Sequence, residues 1–231
     1  MSRKPIAERI LYTDNHIIIV NKQAGEIVQG DKTGDRTLCD EVKAYIKKKY
    51  NKPGEVFLGV VHRLDRPVSG AVMFARTSKA LSRLNEMFRV GNKVHKTYHA
   101  IVCGRPEQPQ ATLTHWLTRN EQQNKAYATK REVPGSKKAV LDYRLIGESE
   151  RYYLLEVNLH TGRHHQIRCQ LAAIQCVIKG DLKYGAPRSN PDGSICLHAR
   201  HLELEHPVSH DVVSVDAPYP DDMPLWSVFK Q

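Results

Sequence analysis

Short hydrophobic runs separated by turn-forming residues mark the first third of the chain. Residues 10–12 and 17–20 are apolar runs of strand length, and Asp14-Asn15 between them is a typical turn. This pattern predicts a β-hairpin. Residues 71–74 form a further apolar run, which is long enough for a buried strand.

Two segments carry apolar residues every three or four positions, which is the spacing of an amphipathic helix. Residues 37–50 open with Thr37 and Asp40, a pattern typical of a capping box. Residues 77–90 begin with Thr77-Ser78 and are followed by Gly91, which predicts a capped helix that ends before the glycine.

The middle of the chain mixes strands with one polar excursion. Residues 93–104 are rich in β-branched and aromatic residues and predict a strand. The excursion, residues 105–138, predicts one strand over 111–117 and a mobile basic segment over 125–138. Such loops often carry binding function, although a solvated charged loop explains the composition equally well.

The last third predicts a second hairpin, one helix and the end of a sheet. Residues 139–146 and 152–159 alternate between apolar and polar positions around a short turn. Thr161 can cap a helix whose residues Ile167, Leu171 and Ile174 share one face. Residues 195–207 and 212–215 predict two closing strands.

Charge then narrows the class of partner. The 231 residues include 35 Lys and Arg against 25 Asp and Glu, which gives a formal net charge of +10 and a pI near 9.4. This balance favours an anionic partner, nucleic acid first, although an ordinary basic protein is the alternative. Three lysines at 47–49 end a predicted helix, where its dipole favours cations; contact with RNA is the other interpretation.

Cysteine usage and hydropathy exclude several classes. The five cysteines are scattered and none forms a CxxC pair, so neither a disulfide framework nor a zinc site is indicated. Reduced thiols in a cytoplasmic protein are the simple interpretation. No signal-peptide pattern opens the chain, and no apolar run approaches the roughly 20 residues of a membrane span.

One acidic residue stands out as a candidate for chemistry. Asp65 lies between Arg63 and Arg66, and Pro67 fixes a turn directly after them. A carboxylate held between two guanidinium groups is expected to stay ionised, which suits a nucleophile better than a general acid. A purely structural cluster of Arg, Asp and Arg is the alternative.

The block HRLDRPVSG, residues 62–70, resembles the signature of the RluA-type RNA pseudouridine synthases, in which the Asp is catalytic. Val68 departs from the Thr that the family usually has. Further blocks resemble the family in the same order: VNKQAG at 20–25 with Gln23 in place of Pro, a KxYxA strand containing Tyr98, TGRxHQIR at 161–168 followed by Gln170 in place of His, GDLKYG at 180–185, and LHA with a following HP near the end.

The resemblance implies an α+β fold with a mixed, mainly antiparallel central sheet, flanking helices and a central catalytic cleft. We expect residues 1–231 to form a single catalytic domain of two half-sheets joined side by side. The resemblance runs from about residue 10 to 217, and the catalytic domain is expected to start near residue 6, which leaves no room for an S4-type RNA-binding domain. The domain is expected to act as a monomer in the cytoplasm.

The activity implied is the isomerisation of uridine to pseudouridine in ribosomal or transfer RNA, without a cofactor or metal. Asp65 would attack uracil C6 or ribose C1′, Arg168 would keep Asp65 ionised, and Tyr98 would stack on the uracil. RNA-binding residues are expected at five further positions: His62, Arg63, Arg66, Lys96 and Arg163.

Two other functions remain open at this point. A non-catalytic RNA-binding protein or RNA chaperone that keeps the fold would share the basic charge, but the intact Asp65 argues against it. A hydrolase would need a nucleophile elbow or a metal motif, and neither is present. The histidines at 160, 164 and 165 have no acidic residue directly beside them in the sequence, so a metal site is not indicated.

Overall fold

A computed structural model describes residues 3–30, 34–90 and 93–229. The chain divides into two compact units. The first unit consists of Met1–His95 and Ala199–Tyr219, and the second of Lys96–His198 and Pro220–Gln231. Each unit contributes strands and helices of its own.

The regular elements follow one another as strands interrupted by a few helices. The strands are β1 (Ile10–Thr13), β2 (Ile17–Lys22), β3 (Gly59–Val60), β4 (Ser69–Ala75), β5 (Val94–Val102), β6 (Gln110–Asn120), β7 (Lys125–Thr129), β8 (Lys137–Glu148), β9 (Tyr153–Leu159), β10 (Leu197–Glu205) and β11 (Val212–Asp216). The helices are α1 (Leu38–Lys49), α2 (Ser78–Val90), α3 (Gln166–Ala173) and α4 (Leu225–Val228), with short 3-10 helices at Ile6–Arg9 and Leu182–Tyr184.

The first unit holds a sheet in the order β1-β2-β4-β10, with β3 on β4 and β11 on β10. The pairs β1–β2, β2–β4 and β10–β11 are antiparallel. Every residue of β4 is buried, as expected for a continuous apolar run inside a sheet. Helix α2 packs Ala80 and Leu84 against Ile17 and Met73 of the sheet, which closes the core of this unit.

The predictions for the first unit are confirmed where the structure describes them. β1 and β2 form the expected hairpin, and its turn is held by the Asp14 carboxylate, which accepts from the N–H groups of His16 and Ile17. The Thr37 side chain accepts from the Asp40 N–H while the Asp40 side chain accepts from the Thr37 N–H, so the capping box is present. The predicted end of α2 at Gly91 lies outside the described residues.

The second unit holds strands in the order β5-β9-β8-β6-β7. Here one expectation was wrong: residues 125–138 are not a mobile basic segment, because β7 pairs antiparallel with β6 and β8 begins at Lys137. The strand predicted over 111–117 extends over Gln110–Asn120. Only Ala126 of β7 is buried, so this strand at the end of the order lacks the apolar alternation that reveals a strand in a sequence.

Thr161 does not cap the third helix. Helix α3 begins at Gln166 after His165, whose backbone is left-handed with φ 52°. The Thr161 hydroxyl instead accepts from the Val140 N–H of β8 at 2.9 Å and donates to the Gln166 side chain at 2.8 Å. Thr161 therefore connects the loop before α3 to the sheet. Its hydroxyl is already used in these two hydrogen bonds, so it does not cap the helix.

The α+β class is confirmed, since each unit combines a sheet with helices. Among the described residues, no helix is long and apolar enough to cross a membrane. The single catalytic domain and the side-by-side joining of two half-sheets stay predictions.

Candidate active site

The loop between β3 and β4 carries Asp65. Leu64 and Val68 are buried and anchor the loop, whereas Arg63 and Arg66 are exposed on either side of the partly buried Asp65. The Val68 N–H donates to the Asp65 carbonyl at 3.0 Å, so the backbone turns directly after the aspartate. The carboxylate is therefore presented at the tip of a turn that buried side chains hold from both ends.

Lys22, at the end of β2, holds this loop through hydrogen bonds to its backbone. Its Nζ donates to the carbonyl oxygens of Asp65 at 3.2 Å, Arg66 at 3.1 Å and Val68 at 2.6 Å. A fourth bond goes to the carbonyl of Gln23 at 3.1 Å. The side chain is fully buried, so it fixes the backbone from Asp65 to Val68 from inside the unit.

The charge of Lys22 is not cancelled by its hydrogen-bond acceptors, since all four are neutral carbonyl groups. Burial lowers the pKa of Lys22 to about 7, and the nearby Glu26 and Asp65 act in the opposite direction by favouring the ammonium form. In its protonated form, Lys22 thus contributes positive charge close to Asp65 within the same unit. The sequence analysis missed this residue, although the VNKQAG block contains it.

Gly70, at the start of β4, cannot carry a side chain. Its φ is 117°, and a Cβ there would lie 2.4 Å from the carbonyl oxygen of Ala199 in β10. Any other residue would therefore push β4 and β10 apart directly behind the loop. This requirement explains the glycine at the end of the HRLDRPVSG block.

The predicted RNA-binding residues of this loop differ in their surroundings. The His62 Nε2 accepts from the Met73 N–H at 3.0 Å, and the ring stacks on Phe88 with centroids 5.1 Å apart. Arg66 forms an exposed ion pair with Asp35 at 2.8 Å. His62 thus has a structural contact, while Arg63 and Arg66 are exposed enough to reach a polyanion.

Tyr98 and Lys96 lie two residues apart on β5 in the second unit, so both side chains leave the same face of the strand. Tyr98 is buried and pairs with Val157 of β9. Burial lowers the pKa of Lys96, and its Nζ lies 3.8 Å from the position that a Cβ on Gly162 would occupy. The TGR block therefore lies beside this lysine.

Arg168 on α3 is buried and binds a carboxylate. The carboxylate described here is that of Asp181: Nε donates to one oxygen at 2.7 Å and Nη2 to the other at 2.8 Å. This bidentate pair was not foreseen, although Asp181 lies in the GDLKYG block. Asp65 and Arg168 belong to different units, and the expected ion pair between them stays a prediction.

Two further side chains complete the surroundings of Arg168. The Arg168 guanidinium lies over the Tyr184 ring at 5.2 Å, and its Nη1 lies 3.0 Å from the His165 Nε2. Since arginine can only donate, this His165 nitrogen must accept, which leaves the proton on Nδ1. Nδ1 then donates to the Tyr184 hydroxyl at 3.0 Å, which also accepts from the Ala126 N–H at 2.9 Å.

The remaining site candidates are more exposed. The Arg163 Nε donates to the Lys138 carbonyl at 3.2 Å, and the rest of its guanidinium is accessible. His160 pairs with Asp142 at 2.6 Å on the surface, and His164 stacks on His165 with centroids 3.9 Å apart. His160 thus contacts a carboxylate, whereas His164 and His165 contact each other.

Comparisons with known proteins show which family the sequence resembles. The family model described as RNA pseudouridylate synthase matches residues 16–173. The uncharacterized RNA pseudouridine synthase YhcT of Bacillus subtilis is 33% identical over 218 residues, covering 93% of this chain and 69% of its own length. The ribosomal large subunit pseudouridine synthase D of Zymomonas mobilis is 32% identical, covering 94% of this chain and 70% of its own.

Solved structures show the same fold. The human RNA pseudouridylate synthase domain containing 4 superposes with a TM-score of 0.77 at 22% sequence identity, covering 94% of this chain and 90% of its own. The human RNA pseudouridylate synthase domain containing 1 gives a TM-score of 0.75, also at 22% identity, and covers 99% of this chain and 90% of its own. The architecture expected from the sequence is therefore confirmed.

Proposed function

The chain belongs to the family of RNA pseudouridylate synthases, and we propose that it isomerises uridine to pseudouridine in large-subunit ribosomal RNA with Asp65 as the nucleophile. The observation that carries this proposal is the Asp65 loop, whose backbone the buried Lys22 fixes through three carbonyl groups. A loop held this firmly keeps its carboxylate in one orientation, which nucleophilic catalysis requires. The ribosomal substrate is suggested by relatives such as the synthase D of Zymomonas mobilis.

The reaction needs one carboxylate and no external reactant. Asp65 adds to uracil C6 or to ribose C1′, and the bond between N1 and C1′ breaks. The uracil then turns so that C5 bonds to C1′, and the bond between Asp65 and the nucleotide breaks, which frees the carboxylate. The proton on C5 leaves to solvent, and N1 gains a proton. Substrate and product are isomers, so the chemistry calls for no cofactor.

Tyr98 and Arg168 of the second unit are proposed to act on the same uridine. A buried tyrosine offers a flat face on which a uracil can stack, a contact worth about 1–3 kcal/mol per base. Arg168 is held in one orientation by Asp181 and His165, so the position of its guanidinium is fixed. A uridine inside a helix must first be flipped out, at a cost of a few kcal/mol.

The RNA backbone is proposed to contact the basic residues near these groups. Arg63 and Arg66 on the loop, with Lys96 and Arg163 in the second unit, carry the positive charge for phosphate contacts. His62 is kept as a candidate RNA-binding residue, although its ring already stacks on Phe88. Monomeric action and a cytoplasmic location stay predictions.

A tritium-release assay tests the proposal. Large-subunit ribosomal RNA transcribed with uracil-5-labelled uridine is incubated with the purified protein, and pseudouridine positions are then mapped in unlabelled transcript. We expect stoichiometric release of tritium and modification at one or a few defined uridines. Tight binding without any release would instead support the non-catalytic RNA-binding alternative.

A further inference from the structure

A group of basic and aromatic residues lies at the C-terminal end of α1, in the first unit. We call this group the Tyr50 patch, and it comprises Tyr45, Lys47, Lys48, Lys49, Tyr50, Lys52 and Arg76. The lysines and Tyr50 are exposed, and Arg76 reaches the patch from the end of β4. None of these residues belongs to the Asp65 loop or to the surroundings of Arg168.

The cations of the patch are placed on aromatic rings. Lys49 lies 5.5 Å from the centroid of the Tyr45 ring and 5.6 Å from that of Tyr50, and the Arg76 guanidinium lies 5.0 Å from the Tyr50 centroid. Arg76 is further fixed by donating to the Asp14 carbonyl. Side chains held in this way lose less conformational freedom on binding a ligand than free lysines do.

The charge of the patch is largely uncompensated. Lys47 approaches Glu55 at 3.8 Å, but within residues 3–30, 34–90 and 93–229 no carboxylate lies within 4.0 Å of Lys48, Lys49, Lys52 or Arg76. Some other surface cations of this unit are paired, such as Arg89 with Glu86 and Lys93 with Glu205. The patch therefore gathers several cations at one place, and within the described residues only Lys47 among them lies within 4.0 Å of a carboxylate.

Stabilisation of the α1 dipole accounts for only part of this arrangement. Cations in the last turn of a helix are favourable, which explains Lys47, Lys48 and Lys49. It does not explain why Arg76 converges on the same place from another element, nor why two tyrosine rings lie between the cations. Basic residues interleaved with aromatic ones are instead typical of a nucleic-acid surface.

The position of the patch fits a contact with RNA outside the reacting nucleotide. The N-terminal end of α1 lies next to the Asp65 loop, because Asp35, two residues before its cap, pairs with Arg66. The patch lies at the other end of this 12-residue helix, about 18 Å away at 1.5 Å per residue. We propose that the Tyr50 patch binds the phosphate backbone of the substrate RNA at this distance from the target uridine.

Charge removal at matched positions tests the proposal. The variant Lys48→Gln/Lys49→Gln/Lys52→Gln removes three exposed charges from the patch. The control Lys79→Gln/Arg89→Gln/Lys93→Gln removes three charges elsewhere in the same unit. Both variants have the same net charge, so a difference between them is not an effect of net charge. Binding of poly(U) and of a ribosomal RNA transcript is measured over a range of salt concentrations.

We expect the patch variant to lose about tenfold or more in affinity at low salt, and its slope of log K against log salt to become shallower by about 2. The control should stay within about twofold of wild type, because its charges are paired or dispersed. Equal losses in the two variants, or none in the patch variant, would overturn the proposal. Tritium release by the patch variant at saturating RNA should match wild type, which separates this test from that of the catalytic assignment.

Two further variants protect the test against a folding defect. Lys48→Arg/Lys49→Arg/Lys52→Arg keeps the charge and should restore wild-type binding, whereas failure to restore it would contradict a phosphate contact. Tyr50→Phe keeps the ring under Arg76 and Lys49 and should bind normally, while Tyr50→Ser should lose about two- to fivefold in affinity. Identical binding by Tyr50→Phe and Tyr50→Ser would remove the ring from the proposal.

Discussion

The Asp65 loop and the surroundings of Arg168 hold a buried cation in two different ways. Lys22 donates to four neutral carbonyls, so its charge remains available to the nearby carboxylate. Arg168 forms a bidentate pair with Asp181, which neutralises most of its charge locally. Lys22 therefore supplies an electric field and fixes the backbone of the Asp65 loop. Asp181 instead fixes the orientation of the Arg168 guanidinium. The two cations near the proposed chemistry therefore have separate tasks.

Breaking the Arg168–Asp181 pair is expected to have the largest effect on stability. Asp181→Asn leaves a buried guanidinium without its carboxylate, which should lower the free energy of unfolding by about 3–5 kcal/mol. Asp142→Asn, which removes the exposed partner of His160, serves as a control and should cost less than about 1 kcal/mol. Urea unfolding of both variants measures the difference. Similar small losses would mean that Arg168 does not depend on Asp181.

Lys22→Met should affect turnover more than stability. The variant removes the bonds to the Asp65 loop but also relieves the cost of burying an ammonium group, so the free energy of unfolding should change by only about 1–3 kcal/mol. Single-turnover formation of pseudouridine should fall at least about 100-fold, equivalent to about 2.7 kcal/mol. Normal turnover would show that the loop keeps its shape without the lysine.

Removing one hydroxyl near Arg168 should have a smaller effect. Tyr184→Phe keeps the ring under the guanidinium but leaves the Ala126 N–H and His165 without their shared acceptor, a loss of about 1–2 kcal/mol in unfolding free energy. Turnover should stay within a few-fold of wild type, since Asp181 still holds the arginine. A loss of turnover as large as that of Asp181→Asn would assign the orienting role to Tyr184 instead.

A further expected effect is a dependence of stability on pH that belongs to Lys22. Its folded pKa of about 7 lies below the unfolded value of 10.5, so between these values the unfolded chain binds more protons. The difference in unfolding free energy between wild type and Lys22→Met should therefore shift in favour of wild type as the pH rises from about 7, by at most about 1.4 kcal/mol per pH unit. A flat difference between pH 7 and pH 9 would contradict a buried, titrating Lys22.

The local elements and the HRLDRPVSG block could be predicted from the sequence because their signals are contiguous. The hairpin β1–β2 and the α1 capping box depend on neighbouring residues, and both are present. The role of Lys22 could not be predicted, because three of its four acceptors lie 43–46 residues away in a loop. The pairing of Arg168 with Asp181 could not be predicted for a related reason. The sequence does not show which carboxylate Arg168 binds.

The prediction for residues 105–138 failed for a different physical reason. β7 lies at the end of the strand order and buries only Ala126, so its charges and small residues read as a solvated loop. Backbone pairing with β6 and the contact between the Ala126 N–H and Tyr184 hold it in place instead. Hydrogen bonds of this kind leave no hydropathy pattern in a sequence.

The central claim, that Asp65 is the nucleophile, is tested most directly by single-turnover pseudouridine formation with Asp65→Asn and excess enzyme over RNA. The variant keeps the side-chain shape and the backbone that Lys22 holds, and RNA affinity measured in parallel shows whether substrate still binds. We expect RNA binding within a few-fold of wild type and no pseudouridine, even after prolonged incubation. Measurable product from Asp65→Asn, on an RNA that wild type modifies, would contradict the assignment.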